Sequence, residues 1–284
     1  MKCLVTGGTG FIGSNLVEKL LYKNYEVTSV DNYLTGFESN KHTGCEYIND
    51  DIRKISDYSY LGNFDVIFHM AAQPRIQPSF SNPIETIDIN TNGTLKILDY
   101  ARKYNIPVIY AGSSSCHGGI YMSPYAWSKY TAGDMCKMYS KVYKLPTTIC
   151  RFYNVYGYNH IRTGNYATVI GIFEHQYLNK KPLTIIGDGE QRRDFTHVHD
   201  IVDGLIKCVE YESYGEVFEL GRGKDWSINE IANMFGSKIK YVPDTPGNYR
   251  KTVSDSSKSN KILKWKSSIN LDGYIKEFIN RNSI

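Results

Sequence analysis

The chain has no stretch approaching the ~20 consecutive apolar residues that a membrane-crossing helix needs, so no membrane partner is expected. It has six cysteines, at 3, 45, 116, 136, 150 and 208, and none stands at metal-ligand spacing from another. That excludes a zinc framework and suits reduced thiols in the cytoplasm; no metal is expected. It has no dominant charge: 33 Lys and Arg against 29 Asp and Glu leave a net +4, spread along the chain, which gives no footing for a nucleic-acid partner. No internal repeat or low-complexity tract interrupts it. The sequence runs straight from Met1 into an apolar segment, so no secretory signal is expected. What remains is an ordinary globular composition, 41% hydrophobic, over 284 residues, enough for a large core or for one domain with a smaller appended lobe.

The segment TGGTGFIG at 6–13 sets Gly7, Gly10 and Gly13 directly after the apolar run Cys3 to Val5. Apolar residues at helical spacing follow, from Phe11 to Leu21. Strand, glycine turn and helix together bring backbone N–H groups against a pyrophosphate. The next apolar run, Glu26 to Val30, ends on Asp31, eighteen residues beyond Gly13. A carboxylate there accepts from adenosine ribose hydroxyls and repels a 2′-phosphate. Asn32 and Tyr33 follow it, not arginine, so the expected cofactor is NAD rather than NADP. The glycine spacing alone equally fits a tight turn without a ligand; strand, spacing and acid together favour the dinucleotide.

Two further β-prone runs, FDVIFHM at 64–70 and PVIYA at 107–111, end in Ala71, Ala72, Gln73 and in Gly112 and Ser113–Ser115. Ligands gather at the carboxyl ends of parallel strands, and small residues leave room for them. The alternation of strand and helix over the first ~150 residues predicts an α/β fold, a doubly wound parallel sheet of the Rossmann kind. After Cys150 the pattern loosens. We expect residues 1–152 to form the NAD-binding domain, with segments near 183–205 returning to it. Residues 153–284 would be mainly a smaller substrate-binding lobe, with the substrate between the two.

Tyr125 and Lys129, in SPYAWSKY, are the chemical centre of this reading. On a helix, positions i and i+4 share a face. A tyrosine titrates near ~10, and an adjacent cation favours its phenolate. Reaching the neutral range asks for about 4 kcal/mol, within reach of an ammonium and a charged cofactor ring in a poorly solvated site. In a chain with 24 tyrosines such a pair is common by chance, so context must carry it.

With those motifs in place the chain resembles the NAD-dependent nucleotide-sugar epimerases and dehydratases of the extended short-chain dehydrogenase/reductase superfamily. The matching residues are TGGTGFIG, Asp31, Asp51-Ile52, HMAAQ at 69–73, Asn90 in NTNGT, the serines 113–115 and Tyr125/Lys129. RFYNVYG at 151–157, GDGEQRRDFTHVHD at 187–200 and PGNYRKTVSDSSK at 246–258 extend the match over essentially the whole chain. The resemblance implies Ser113, Tyr125 and Lys129 as catalytic residues. It implies a cofactor set of Gly7, Gly10, Phe11, Ile12, Gly13, Asp31, Asn32, Asp51, Ile52, Ala71, Ala72, Gln73, Asn90, Tyr125, Lys129 and Tyr153. Its substrate contacts fall on Ser114, Asn154, Val169, Thr184, Ile186, Arg193, Arg250 and Thr252.

The activity implied is a 4-epimerase on a UDP-hexose or UDP-N-acetylhexosamine. A 4,6-dehydratase or 4-keto reductase is the second reading, and a non-catalytic NAD-binding protein the third. Ser114 and Ser115 stand where dehydrating relatives carry an Asp-Glu pair, and serines cannot act as carboxylate acids, which favours epimerisation. Thr252 falls on the family's sugar-size gate, and a small residue there admits an N-acetyl group; uronic-acid epimerases share that feature. The chain departs from the family in a step of only twelve positions from Ser113 to Tyr125, in His117 for a tyrosine, and in Thr245 for an arginine, which shifts weight to Arg250. His197 and His199 read as structural. The helices near 84–104 and 125–144 resemble those that pair family members, with Ile84, Ile87, Leu95, Leu98, Met135 and Met138 at helical spacing, so a homodimer is expected.

Overall fold

A computed structural model describes residues 1–54, 61, 63–247 and 249–282. Asn248, inside the PGNYRK motif, lies outside the described residues. Seven parallel strands form the central sheet: β1 (Lys2–Thr6), β2 (Glu26–Asp31), β3 (Cys45–Asn49), β4 (Val66–His69), β5 (Val108–Ser113), β6 (Thr147–Phe152) and β11 (Val217–Leu220). Their order is β11-β6-β5-β4-β1-β2-β3. The order reverses beside β1, between β4 and β2, and that reversal opens a crevice at the strands' carboxyl ends. The doubly wound α/β expectation holds.

Alternating side chains feed two cores. Leu4, Ile67 and Val108 face one side, against α4 (Thr94–Tyr104) and α5 (Pro124–Tyr143). Cys3, Val5, Val66, Phe68 and Ile109 face the other, where Leu16 of α1 (Phe11–Tyr22) and Ile201 and Leu205 of α7 (Val198–Glu210) pack. Burial on both faces is why these strands read as continuous apolar runs rather than alternating ones. Two short helices, α2 (Ile76–Ser81) and α3 (Pro83–Ile87), follow β4, and a π-helical stretch over Asp88–Gly93 joins α3 to α4.

A third core belongs to the later part of the chain. It joins Phe173 of α6 (Val169–Leu178), Ile231 and Phe235 of α8 (Ile228–Phe235), Leu271 and Ile275 of α10 (Leu271–Asn282), and the buried Leu183 and Ile185. Here lie the short pieces β7 (Val155–Tyr156), β8 (Leu183–Ile186), β9 (Arg192–Asp194), β10 (Thr196–His197), β12 (Asp225–Ser227), β13 (Ile239–Val242) and β14 (Lys251–Thr252). β8 pairs with β13, and β9 is flanked by β12 and β14. The region 183–205 therefore divides: β8 stays with this third core, while α7 crosses to the large sheet and delivers β11 to its edge. The helix α9 (Ser257–Leu263) packs there too, with Leu263 and Trp265 in the second core.

Candidate active site

The glycine turn is built by backbone crowding. Gly7 has φ +76, and a Cβ on it would lie 2.8 Å from the Ala71 nitrogen. A Cβ on Gly13 would meet the Gly7 carbonyl oxygen at 2.0 Å, so α1 can approach β1 this closely only without one. Gly10 is the N-cap of α1, and no side chain caps that helix. Its first-turn residues Phe11, Ile12 and Gly13 line the cleft, an arrangement that suits a phosphate. Asp31 accepts from the backbone nitrogens of Thr9 (2.9 Å) and Tyr33 (2.8 Å), which fixes its carboxylate at the end of β2. Asp51 is clamped by Arg53 and by Asn32 Nδ2 at 3.1 Å. Those bonds, Arg53 foremost, hold its carboxyl down at about 2 despite its burial. A bare glycine cradle, an uncapped helix and a fixed acid fit a dinucleotide.

The cleft has a volume of ≈ 610 Å³ and runs from this turn into the third-core lobe. Of the expected cofactor residues, Gly7, Gly10, Phe11, Ile12, Gly13, Asp31, Asn32, Asp51, Ile52, Ala71, Ala72, Tyr125 and Lys129 line it. Gln73, Asn90 and Tyr153 do not. Asn90 is buried and bonds the Gln73 nitrogen at 2.8 Å and Ser128 Oγ at 3.0 Å, so it braces the chain leaving β4. Tyr153 donates to Glu219 behind the site. At the other end Ser113, Ser114, Asn154, Val169, Thr184, Ile186 and Arg193 line the cleft.

Arg250 and Thr252 stand apart from the cleft. Arg250 forks onto Asp188 through two 2.8 Å bonds at the surface, its side chain 71% exposed. Thr252 is buried on β14, in register with Arg193. Tyr249 takes the lining position instead, its ring 4.3 Å from the Arg193 guanidinium carbon. It rests on Gly118, where a Cβ would come within 2.4 Å of the ring. The short link between Ser113 and Tyr125 thus leaves a gap that Tyr249 fills. Other lining residues escaped the sequence reading: Arg75, Tyr166 and Gln191. Arg75 had a legible signal, because it follows the carboxyl end of β4.

Ser113 and Tyr125 meet. Tyr125 Oη donates to Ser113 Oγ over a long 3.4 Å, and Ser113 Oγ donates to Ser115 Oγ at 2.9 Å. Ser123 caps α5 by accepting from Ala126 N at 3.1 Å, and Pro124 opens the helix, which sets the phase that turns Tyr125 and Lys129 inward. Burial pushes the Tyr125 phenol up, while the Ser113 hydroxyl and the Arg75 guanidinium pull it down. Lys129 is itself buried, with Nζ 4.3 Å from the Tyr110 ring centre, and burial lowers it to about 7. A lysine near 7 is only about half charged at neutral pH. The expected lowering of Tyr125 by Lys129 does not appear: burial leaves the phenol raised, and the cation that opposes this is Arg75, which the sequence reading overlooked. His197 is buried as the N-cap of α7, accepting from His199 N at 3.2 Å.

The cleft thus joins a dinucleotide cradle to a half-buried Ser113–Tyr125 pair with the buried Lys129 on the same helix as the tyrosine. Residues 3–221 match the family described as the NAD dependent epimerase/dehydratase family. A provisionally named UDP-glucose 4-epimerase of Methanocaldococcus jannaschii is 35% identical, over 98% of this chain and 97% of that protein. A UDP-N-acetyl-alpha-D-glucosaminuronate decarboxylase of Bacillus cytotoxicus is 34% identical, over 85% and 83%. The crystal structure of UDP-glucose 4-epimerase from Thermotoga maritima with UDP-glucose superposes with TM-score 0.93 at 28% identity, covering 99% of each chain. The chain belongs to the NAD-dependent epimerase/dehydratase family, and its cofactor is NAD.

Proposed function

We propose that the protein is a nucleotide-sugar 4-epimerase, acting on a UDP-linked sugar. The observation that carries this is the Ser113–Tyr125 pair at the inner end of the dinucleotide cleft, with no carboxylate beside it among the described residues. NAD held in the cradle would accept hydride from C4 of the sugar and return it to the opposite face. Tyr125 as phenolate takes the O4 proton and gives it back, and Ser113 Oγ donates to the same oxygen. Lys129 and Arg75 favour the phenolate electrostatically. Ser114 and Ser115 cannot supply the carboxylate acid that dehydration at C5 and C6 needs. Arg193, under Tyr249, would face the diphosphate, and Asn154, Val169, Thr184 and Ile186 the nucleotide.

Incubating the purified protein with UDP-glucose, UDP-N-acetylglucosamine and UDP-glucuronate, without added NAD, tests this. An epimer mixture from at least one is expected, and Tyr125→Phe should lose about 10²–10⁴-fold in kcat with the fold intact. Wild-type rates in that variant would remove Tyr125 as the base. Net accumulation of a 4-keto sugar, or solvent deuterium at C5, would favour the dehydratase reading. NAD retention with no conversion would leave a non-catalytic binder.

We further propose a homodimer through α3, α4 and α5, and a division into a cofactor lobe, residues 1–152 with α7 and β11, and a substrate lobe from the remaining later segments. The absence of any helix long and apolar enough to cross a membrane, among the described residues, is compatible with the expected cytoplasmic setting.

A further inference from the structure

Arg75 is held toward the cleft by an unusual backbone. Its φ is +82 and ψ 142, a conformation that residues with side chains seldom adopt and that persists where the surroundings impose it. The side chain is partly buried and lines the cleft. Nε donates to the Tyr166 carbonyl at 3.2 Å, and Tyr166 Oη in turn accepts from Gln73 Nε2 at 3.2 Å, which fixes the plane of the guanidinium. Among the described residues no carboxylate pairs with it. The acids that line the cleft, Asp31, Asp50 and Asp51, stand at the dinucleotide end. Burial disfavours its charge, and the nearby Tyr125 is the group that offsets this. A partly buried guanidinium with its outer edge unmatched by an acid is costly unless an anion from outside completes it.

The position of that edge identifies the anion. Ser113 and Tyr125 locate O4 of the sugar, and Arg75 stands close enough to Tyr125 for the two charges to interact. C6 and C2 are each two bonds from C4, but of the two only C6 can carry a carboxylate, the anion that an unmatched guanidinium calls for. The diphosphate belongs further out, toward Arg193 and Tyr249. Resting on the proposed C4 chemistry, we propose that Arg75 is a specificity-determining residue that forks onto a C6 carboxylate, so that the substrate is a nucleotide-linked sugar acid. A guanidinium offers two parallel N–H donors matched to the two oxygens of a carboxylate, which neither a hydroxymethyl nor an acetamido group supplies.

The test compares UDP-glucuronate with UDP-glucose on the holoenzyme, on Arg75→Gln and on Arg75→Lys, with thermal denaturation to verify folding. The ratio of kcat/KM for the acid over the neutral sugar should fall about 10- to 100-fold in Arg75→Gln, mainly through KM, and recover in part in Arg75→Lys. Equal losses on both sugars with the acidic limb of the pH profile moved upward would leave Arg75 only its effect on Tyr125, and equal losses with weakened binding of UDP alone would assign it to the diphosphate; either overturns the proposal. Calorimetry in a Tyr125→Phe background separates this from the epimerase reading. If neither sugar turns over but the acid binds at least about 10-fold tighter than UDP-glucose and Arg75→Gln erases the preference, the C4 chemistry falls and the carboxylate site stands. A pentose product would keep the oxidation at C4 and the carboxylate site and replace only the epimerisation. The C5–C6 bond of the 4-keto acid would then have broken, its electron pair passing to the ketone oxygen as CO2 left and C5 took up a proton.

Discussion

Burying a lysine beside a phenol has consequences that are measurable without substrate. Lys129 falls from its ordinary value of 10.5 to about 7 through burial. Between those values the unfolded chain binds the proton and the folded chain does not, so this residue makes stability rise with pH. Its burden is full below about pH 7 and disappears as pH approaches ~10.5. In protein stripped of dinucleotide, Lys129→Met should therefore raise Tm at pH 6 by several degrees, at roughly 2–4 °C per kcal/mol, and the gain should shrink toward pH 10. Taking the difference between variant and parent removes the opposite trend from His117, which Cys116 and Glu219 raise to about 10. A pH-independent gap would mean that Lys129 is charged in the folded state across the whole range. The two arginines offered for the diphosphate give a second contrast. Arg193 is buried in the cleft and Arg250 is forked onto Asp188 at the surface. Arg193→Gln should raise KM about 10- to 100-fold, and Arg250→Ala should change it less than about 3-fold. Steady-state kinetics with any turned-over UDP-sugar decides it, and the reverse ranking would return the diphosphate to Arg250.

At the scale of elements, the turn from β1 into α1 carries the sharpest steric requirement. Gly13→Ala must push either the Gly7 carbonyl or α1 aside, because a Cβ there lies 2.0 Å from that oxygen. Purified Gly13→Ala should lose most of its retained NAD and about 1–3 kcal/mol of stability, read by chromatography of the released nucleotide and by urea unfolding. Full NAD content would show that the turn can relax. This element was legible from sequence because one local rule, close backbone approach, writes itself as glycines. The same holds for β5 ending in small residues. Long-range bonds were less visible. In GDGEQRRDFTHVHD the acids are structural: buried Asp194 accepts from the nitrogens of Arg222, Gly223 and Ser254, and Asp200 accepts from Ser267 and Ser268. Their partners lie some 30 to 70 residues away, with no periodicity to announce them. The pairing of Arg250 with Asp188 was hidden for the same reason, since Asp188 is 62 residues distant along the chain. β11 was missed because four residues at a sheet edge give too short an alternation to read.

The molecule as a whole puts its chemistry where two packing units meet and leaves one flank unfinished. Gln77, in the first turn of α2, donates to the Pro246 carbonyl at 2.7 Å and to Thr245 Oγ1 at 3.2 Å, latching the two sides of the cleft beyond Arg75. Away from the cleft, α5 buries Ala126, Ala132, Cys136 and Tyr139 against the sheet and α4. Its outer face carries Trp127, Met138 and Val142 at helical spacing, and α3 and α4 add Ile84 and Leu95. Ile84 is 84% exposed and Val142 59%, values that a lone helix pair has no reason to keep in water. Leu98, by contrast, is fully buried in its own core, so the heptad-like spacing seen in the sequence mixes an inward and an outward stripe. A second copy presenting the same face would bury both outer stripes in a two-fold helical bundle, the self-complementary solution favoured by symmetric dimers. Light scattering should then give twice the 32.4 kDa chain mass. The double variant Ile84→Glu/Val142→Glu, both on that face and away from the cleft, should give a single chain mass while retaining NAD. A parent protein that runs as a monomer at micromolar concentration would leave this face without its partner and remove the dimer from the account.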